Sequence, residues 1–590
     1  MSNKLTQLRT LMATYNLEAI IIPNTDPHQS EYIAEHWQAM TWISGFTGSA
    51  GTVVLTANFA GLWTDSRYFI QAEQQLAGTG IQLMKLGQQR RPEHIDWLAD
   101  NLKKGDEVGI DGKLFSLGQI DYMKDSFTPK GIEIVSVGDL IKAVWEDRPA
   151  LPLEPIFIHD IQYAGQSRTD KIAAIRASMK TKGVQSHLLT ALDDIAWTFN
   201  IRGKDVECNP VAIAYALITE KAAQLFINAK KVPADVKAAL EKDGVELYDY
   251  DAVTHHIKSI DSKSSILISN RQTSFWIQKC IPNDCQQVKG MSIPTQLKTI
   301  KNETEIGHIR KVMEKDGVAI VRFLKWLEDN VGKIEITELS ASDKLATFRA
   351  EQADFVGNSF AAISGYKGNG AIVHYRVTPE TDVPLKKEGI YLIDSGGQYL
   401  DGTTDITRTI ALGIPTREQQ IAFTAILKAH IAVATAEFPK GTRGYELHSL
   451  SKSQLWKYGL DYGHGTGHGV GFFLNVHEGP QSISSATQTM PLKVGMLTSN
   501  EPGFYKTGEF GMRTENLIIT VESQNNANGH FLKSETVTLA PMDLTLIDKS
   551  MLTSFEIDWL NNYHQEVFDR LSPLLTKEEI GWLVGKTKSI

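Results

Sequence analysis

One stretch decides the fold of this 590-residue chain: Tyr391-Leu392-Ile393-Asp394-Ser395-Gly396-Gly397-Gln398-Tyr399, followed closely by Gly402-Thr403-Thr404-Asp405-Ile406-Thr407-Arg408. The apolar run before Asp394 and the β-branched run after Asp405 read as two adjacent strands joined by a turn. Such a hairpin brings positions 394 and 405 together. Two aspartates side by side on buried strands repel each other unless protons or cations neutralise them. On this stretch alone, a pair of solvated turn acids is the alternative.

Moving outward, the next chemical cluster is His464-Gly465-Thr466-Gly467-His468-Gly469-Val470-Gly471, with His477-Glu478 nine residues beyond His468. Glycines let a backbone approach closely, as in a phosphate cradle, but the lysine and strand-to-helix setting of a P-loop are missing. Three histidines so close together suit metal and proton chemistry better. Ser499-Asn500-Glu501-Pro502 and Met512-Arg513-Thr514-Glu515-Asn516-Leu517-Ile518 each place one glutamate in an apolar setting. For Glu515, an ion pair with Arg513 is the bland alternative.

Taken together, Asp394, Asp405, His468, Glu501 and Glu515 supply four negative charges and one imidazole, which two divalent cations would neutralise. Oxygen donors with a single nitrogen favour Mn²⁺, with Co²⁺ or Zn²⁺ possible, because geometry and availability select the metal more than raw affinity.

The rest of the chain frames this α+β segment. Asn302 followed by Glu305 predicts a helix N-terminus ahead of Ile306, Ile309, Val312 and Met313. A second helix is expected over Thr337 to Ala350, then short strands alternating with glycine turns from Ala361 to about residue 522. The tail from about Asp543, with Phe555, Trp559, Leu560, Val567 and Leu571, predicts helices packed on this domain or on a partner subunit.

The first half contains a degenerate repeat. Trp42 and Trp197 each precede a glycine-containing turn and two runs suited to paired strands, with helical stretches such as Ser66 to Leu76 and Val232 to Lys242 around them. Ahead of the first copy, Leu5, Leu8, Leu11 and Met12 predict an amphipathic helix leading into the buried strand Ala19 to Ile22, rather than a signal peptide. The expected organisation is two related α/β domains, residues 1–156 and 157–298, followed by a domain at 299–590 with a helical extension from about 543.

Composition sets the outer bounds. Hydrophobic residues make up 42% and charged residues 22%, and 60 Lys plus Arg against 69 Asp plus Glu give a net charge of -9. That balance argues against a nucleic-acid partner. No run reaches the roughly 18 apolar residues of a membrane span. Only Cys208, Cys280 and Cys285 are present, which points away from a disulfide framework and towards a reducing cytoplasm.

The five candidate ligands, in this order, resemble those of the pita-bread metallopeptidases, and more narrowly of aminopeptidase P (Xaa-Pro aminopeptidase) of the three-domain cytosolic type. The likeness extends to Gly45-Phe46-Thr47-Gly48-Ser49-Ala50-Gly51, Leu62-Trp63-Thr64-Asp65-Ser66-Arg67-Tyr68-Phe69 and Asn369-Gly370-Ala371-Ile372-Val373-His374-Tyr375. It implies two creatinase-like α/β domains before a pita-bread catalytic domain, and a homodimer. It implies that Asp394 binds one metal, that His468 and Glu501 bind the other, and that Asp405 and Glu515 bridge them. His374 and His477 match substrate-contacting histidines, and His464 a further site histidine. Arg513 and Tyr505 match groups that orient ligand carboxylates. Departures from the pattern are Gly397 where alanine is common, Thr514 where an aliphatic is common, and Cys208 where an aromatic or histidine is usual.

The resemblance implies release of the N-terminal residue from peptides with proline at the second position, with His477 stabilising the oxyanion, His374 orienting the substrate and Glu501 moving a proton. A prolidase-like Xaa-Pro dipeptidase is the nearest alternative, although its usual plan has one N-terminal domain. A non-catalytic binding protein of the same fold is a further one, disfavoured because all five ligands are present.

Overall fold

A computed structural model of the chain describes residues 3–87, 92–487 and 490–590. The chain forms two compact units, one of residues 1–160 and 166–296 and the other of residues 161–165 and 297–590.

The first unit contains the same sheet twice. After helix α1 (Asn3–Thr14), strands β1 (Ala19–Pro23), β2 (Thr52–Thr56), β3 (Ala60–Thr64), β4 (Gln82–Lys85), β5 (Glu107–Ile110) and β6 (Glu133–Ser136) lie in the order β4-β3-β2-β1-β5-β6. The second set is β7 (Ser186–Leu189), β8 (Ala214–Thr219), β9 (Ala223–Ile227), β10 (Val245–Tyr248), β11 (Ser265–Ile268) and β12 (Gln286–Lys289). Their order is β10-β9-β8-β7-β11-β12. Strand directions repeat as well: β1 is antiparallel to β2 and parallel to β5, and β7 is antiparallel to β8 and parallel to β11.

The two tryptophans mark equivalent helices. Trp42 lies in α2 (Ala39–Ser44) and Trp197 in α4 (Leu192–Phe199), the latter following α3 (Arg168–Lys182). Each helix ends on a left-handed residue, Gly45 at φ 74° and Asn200 at φ 49°. Glycine meets that requirement freely, and asparagine is the side chain that tolerates it best. The turn signal in the second copy is therefore Asn200 rather than the nearby glycine. The flanking helices are shorter than the sequence suggests, Phe69–Gln75 and Ala234–Lys242.

The second unit opens with α5 (Glu303–Asn330), whose capping box joins Asn302 and Glu305, and continues with α6 (Glu338–Ala350). Its strands include β13 (Ile363–Tyr366), β14 (Ile390–Ser395), β15 (Gly397–Tyr399), β16 (Gly402–Thr403), β17 (Ile406–Ala411), β18 (Glu437–Pro439), β19 (Gly467–Gly469), β20 (Glu478–Ile483), β21 (Leu497–Asn500), β22 (Gly503–Lys506), β23 (Phe510–Arg513), β24 (Asn516–Asn526) and β25 (Gly529–Thr536). A three-stranded sheet runs β13-β14-β17, and a six-stranded sheet runs β18-β25-β24-β21-β19-β20.

Two expectations need correction here. The segment after Ala361 is not strands and turns throughout, because α7 (Arg417–Ala434) and α8 (Gly444–Trp456) interrupt it. Burial around most of α7 hides its helical period, since Ala422 to Ile431 are all buried. The connection between the two aspartate strands is also more than a turn, since β15 and β16 form a small hairpin of their own.

The tail forms α9 (Ser554–Leu571) and α10 (Lys577–Lys586). Leu560, Val567, Leu571 and Leu583 pack with Val318, Val321, Leu427 and Ile431, so these helices close the core of their own unit. Phe555 stays 61% exposed. No helix among the described residues is long and apolar enough to cross a membrane.

Candidate metal centre

The centre is assembled from the ends of β14, β17, β19 and β21 and the start of β24. Asp394 sits in β14 opposite Thr407 of β17, with Asp405 just before β17. The loop can close because Gly396 has no side chain: a Cβ there would sit 1.9 Å from the Thr404 carbonyl oxygen. Gly467 does the same service next to His468, where a Cβ would meet the Ser499 carbonyl at 1.9 Å.

Asp405, His468 and Glu515 converge, each offering a ligand atom within 4.8 Å of the others. His468 Nε2 lies 3.4 Å from Asp405 Oδ2 and 3.6 Å from Glu501 Oε1. Its Nδ1 is 3.0 Å from the Gly469 carbonyl, which can only accept, so Nδ1 carries a proton and Nε2 is the nitrogen left to serve a cation. Glu501 accepts from Ser499 Oγ at 3.3 Å, and Ser499 Oγ accepts from the His468 backbone N–H at 3.0 Å.

Asp394 takes the cation that sequence reasoning offered to Glu515. Arg513 Nη2 donates to Asp394 Oδ2 at 2.6 Å, while Glu515 accepts instead from Thr407 Oγ1 at 2.7 Å. The ion-pair alternative for Glu515 is thus replaced by a hydroxyl contact. Arg513 also donates to the Tyr505 hydroxyl, whose oxygen lies 2.8 Å from His464 Nε2. Three residues expected near the ligands therefore form one chain leading to Asp394. His477 stacks edge-on against His468, ring centres 4.4 Å apart. His374 is on a loop whose neighbouring Val373 carbonyl accepts from Arg513 at 3.4 Å.

The donor set fits divalent cations. Asp394, Asp405 and Glu515 are 7%, 4% and 1% exposed, yet Asp394 Oδ1 and Asp405 Oδ1 have no hydrogen-bond partner among the described residues. Buried carboxylate oxygens are ordinarily paired or ligated. Burial pushes the Asp394 carboxyl up to about 6, with Arg513 opposing and Asp405 reinforcing. Burial, then Asp405, Asp394 and Glu501, hold Glu515 well above the usual carboxylate range. Burial also raises Glu501, against the pull of His468. For His468, burial favours the neutral form, but Asp405 and Glu501 outweigh it and raise the imidazole to about 9. Burial and the crowding of negative charge act together on these carboxyls, and cations would relieve both.

Several residues of the site were not singled out from sequence. Thr407 touches both Glu515 and Arg513, the latter through Nε at 3.2 Å. Arg408 is buried and donates to the Glu515 carbonyl at 2.7 Å and to Asn516 Oδ1 at 2.8 Å, fixing the start of β24. Both lie inside the stretch that opens the sequence analysis; Thr407, two residues beyond Asp405, falls on the same face and could have been marked by that period, whereas Arg408 falls on the opposite face and carries no such signal. Of the departures, Gly397 has a local cause: a Cβ there would meet the Tyr399 ring at 2.6 Å and the Phe355 ring at 3.2 Å. Cys208 occupies a left-handed backbone position at φ 65°.

Fold and site together define a pita-bread metallopeptidase with a carboxylate-rich centre. Residues 307–522 match the model of metallopeptidase family M24, residues 530–590 the C-terminal region of that family, and residues 4–144 and 147–305 two creatinase/prolidase N-terminal domains. The chain belongs to the aminopeptidase P group of metallopeptidase family M24.

Among its relatives, a probable Xaa-Pro aminopeptidase P of Laccaria bicolor is 42% identical over 97% of this chain and 91% of its own. Xaa-Pro aminopeptidase 1 of Dictyostelium discoideum is 38% identical over 100% and 96%. The crystal structure of X-prolyl aminopeptidase from Caenorhabditis elegans, described as a cytosolic enzyme with a di-nuclear active site, superposes with a TM-score of 0.96 at 34% identity, covering 100% of this chain and 99% of that one. An Xaa-Pro dipeptidase from Bacillus anthracis shares the fold at 22% identity and a TM-score of 0.52, covering 64% of this chain and 99% of its own.

Proposed function

We propose that the chain is a dinuclear-metal Xaa-Pro aminopeptidase that releases the N-terminal residue from peptides with proline in second place. One observation carries the reading: Asp405, His468 and Glu515 converge within 4.8 Å, in a chain related from end to end to Xaa-Pro aminopeptidases. In this reading Asp394 would hold one ion, His468 and Glu501 would hold the other, and Asp405 and Glu515 would serve both. Mn²⁺ is the preferred ion, the enzyme works in the cytoplasm, and two copies form a homodimer.

When bound, the cations supply Lewis acidity, lowering the pKa of water and balancing negative charge that develops on the substrate. The protein's own groups do the rest. Arg513 fixes the Asp394 carboxylate, and Arg408 and Thr407 fix Glu515, so that the donors are set before substrate arrives. Glu501 carries a proton towards the leaving proline nitrogen. His477 donates to the carbonyl oxygen as it gains charge, and His374 orients the substrate beside the scissile bond. Proline has no N–H and a fixed φ, so a site that demanded a strand-like hydrogen bond at that position would reject it. Recognition of its ring is required instead.

The dipeptidase reading meets one obstacle: the dipeptidase of the same fold spans 64% of this chain. Cleavage of Xaa-Pro-Xaa peptides in preference to Xaa-Pro dipeptides separates the two. The decisive assay strips metal with a chelator, restores Mn²⁺, and compares Arg-Pro-Pro with Arg-Ala-Ala. Restored cleavage of the first alone is expected; equal cleavage of both, or none with any divalent metal, would sink the proposal.

A further inference from the structure

The loop that carries His374 is pinned on both sides of that histidine. On one side the Val373 carbonyl accepts from Arg513 at 3.4 Å. On the other, the Tyr375 hydroxyl donates to Glu338 Oε2 at 3.0 Å. The Glu338 carboxylate also accepts from the Tyr366 backbone N–H at 2.6 Å and from the Asn369 amide at 3.1 and 3.2 Å. Three separate points of residues 366–375 therefore meet on one side chain.

Glu338 is held from below. It is the first residue of α6, directly after the Thr337 cap. Its N–H donates to the Val383 carbonyl at 3.1 Å, and its own carbonyl accepts from Ser364 Oγ at 2.6 Å. Ser364 belongs to β13, whose Ile363 faces Asp394 across the sheet. The loop, its anchor and a metal-centre strand thus share one rigid frame.

Keeping this carboxylate is costly. Glu338 is 0% exposed, and its hydrogen-bond donors are all uncharged. The positive end of α6 offsets a part of the desolvation. A packed apolar residue would be cheaper but could not accept from three segments at once. None of its hydrogen bonds reaches a residue of the metal centre.

We propose that Glu338 is the positioning residue for His374: its carboxylate gathers Tyr366, Asn369 and Tyr375 and thereby fixes the loop from which His374 meets the substrate. The proposal rests on the reading of His374 as a substrate-contacting group.

The test uses the full-length, Mn²⁺-loaded protein and a tripeptide with proline in second place, at about pH 8, above the value of about 7 to which burial raises the Glu338 carboxyl. Glu338→Gln places an amide where acceptors are required, and Tyr375→Phe removes the hydroxyl that donates to Glu338 from the residue next to His374 in the chain. Each is expected to lower kcat by about 10- to 100-fold, the scale of an ångström-sized misplacement, with bound metal per chain unchanged. In a His374→Ala background, the same substitutions are expected to add nothing further. Full multiplicative losses in that background, or loss of bound metal in Tyr375→Phe, overturn the proposal. If His374→Ala alone turns over like the parent, the reading of His374 fails and the proposal falls with it. That outcome is distinct from one in which His374 matters and Glu338 does not. Should Glu338→Gln fail to fold, Tyr375→Phe decides alone.

Discussion

His468 and His477 hold their imidazole rings 4.4 Å apart at 78°, because Gly469 and Glu478, the residues that follow them, face each other across β19 and β20. The pairing puts a ligand candidate and a substrate candidate side by side while their roles differ. His468→Ala is expected to lower bound metal per chain. His477→Ala is expected to keep its metal and lose about 100- to 1,000-fold in kcat, the usual scale for one oxyanion donor. Metal analysis beside steady-state kinetics checks both, and an empty site in His477→Ala would reassign it as a ligand.

Glu515 accepts from Thr407 and is bonded through its carbonyl to Arg408. Glu515→Ala is expected to abolish bound metal, whereas Thr407→Val, which removes only the hydroxyl, weakens metal binding by about 10- to 100-fold, as for other supporting contacts. Titration with Mn²⁺ followed by calorimetry distinguishes them.

The acidic cluster gives metal-free and metal-loaded protein opposite responses to pH. Asp394 is raised to about 6 and Glu515 further, so the folded apoprotein holds more protons than the unfolded chain between the ordinary carboxylate range and those raised values. Stability of the apoprotein therefore rises as pH falls through that window and is lost as pH climbs out of it. In the loaded protein protons compete with metal, and acidification through pH 6 is expected to release the ions. Thermal unfolding with and without chelator, from neutral pH downwards, gives slopes of opposite sign.

Two lysines share one glutamate behind this centre. Glu478 accepts from Lys301 at 2.5 Å and pairs with Lys298 at 3.2 Å, and their side chains are 1–2% exposed. Glu478→Gln removes the carboxylate that Lys301 and Lys298 share and is expected to cost about 3–5 kcal/mol in chemical denaturation. Lys301→Met keeps the Lys298–Glu478 pair and should cost less. A larger loss for Lys301→Met would mean that the second lysine carries little of the pairing.

Thr514, where an aliphatic is common in the family, is 1% exposed with its hydroxyl unpaired among the described residues. Thr514→Val is expected to raise stability by about 1–2 kcal/mol, the usual cost of an unsatisfied buried hydroxyl, with metal content unchanged.

Much of this was legible in the sequence. The five ligand candidates, the capped start of α5 and the duplicated front half follow from residue type and period alone, since charge in an apolar run and an N-cap three residues before glutamate are local signals. What escaped was non-local or uniform. Helix α7 is buried all round from Ala422 to Ile431, so its period is silent there. The partner of Arg513 depends on a strand 119 residues away, and no spacing rule announces it. Glu338 and the Lys298, Lys301 and Glu478 group look like ordinary surface charges until the fold buries them.

The repeated sheet sets the folding chain a sorting problem, because each early strand meets two frameworks of the same order and direction. The registers make Ile20, which faces Gly109, the counterpart of His187, which faces Leu267. His187 is 0% exposed, bonded through Nδ1 to the Leu267 carbonyl at 3.1 Å and through Nε2 to the Ile293 N–H at 3.1 Å. Docked in the place of Ile20, that imidazole would enter the aliphatic cluster of Leu17, Leu55 and Met40, at the cost of burying an unsatisfied polar group. His187 thus penalises one specific mispairing, that of β7 in the place of β1.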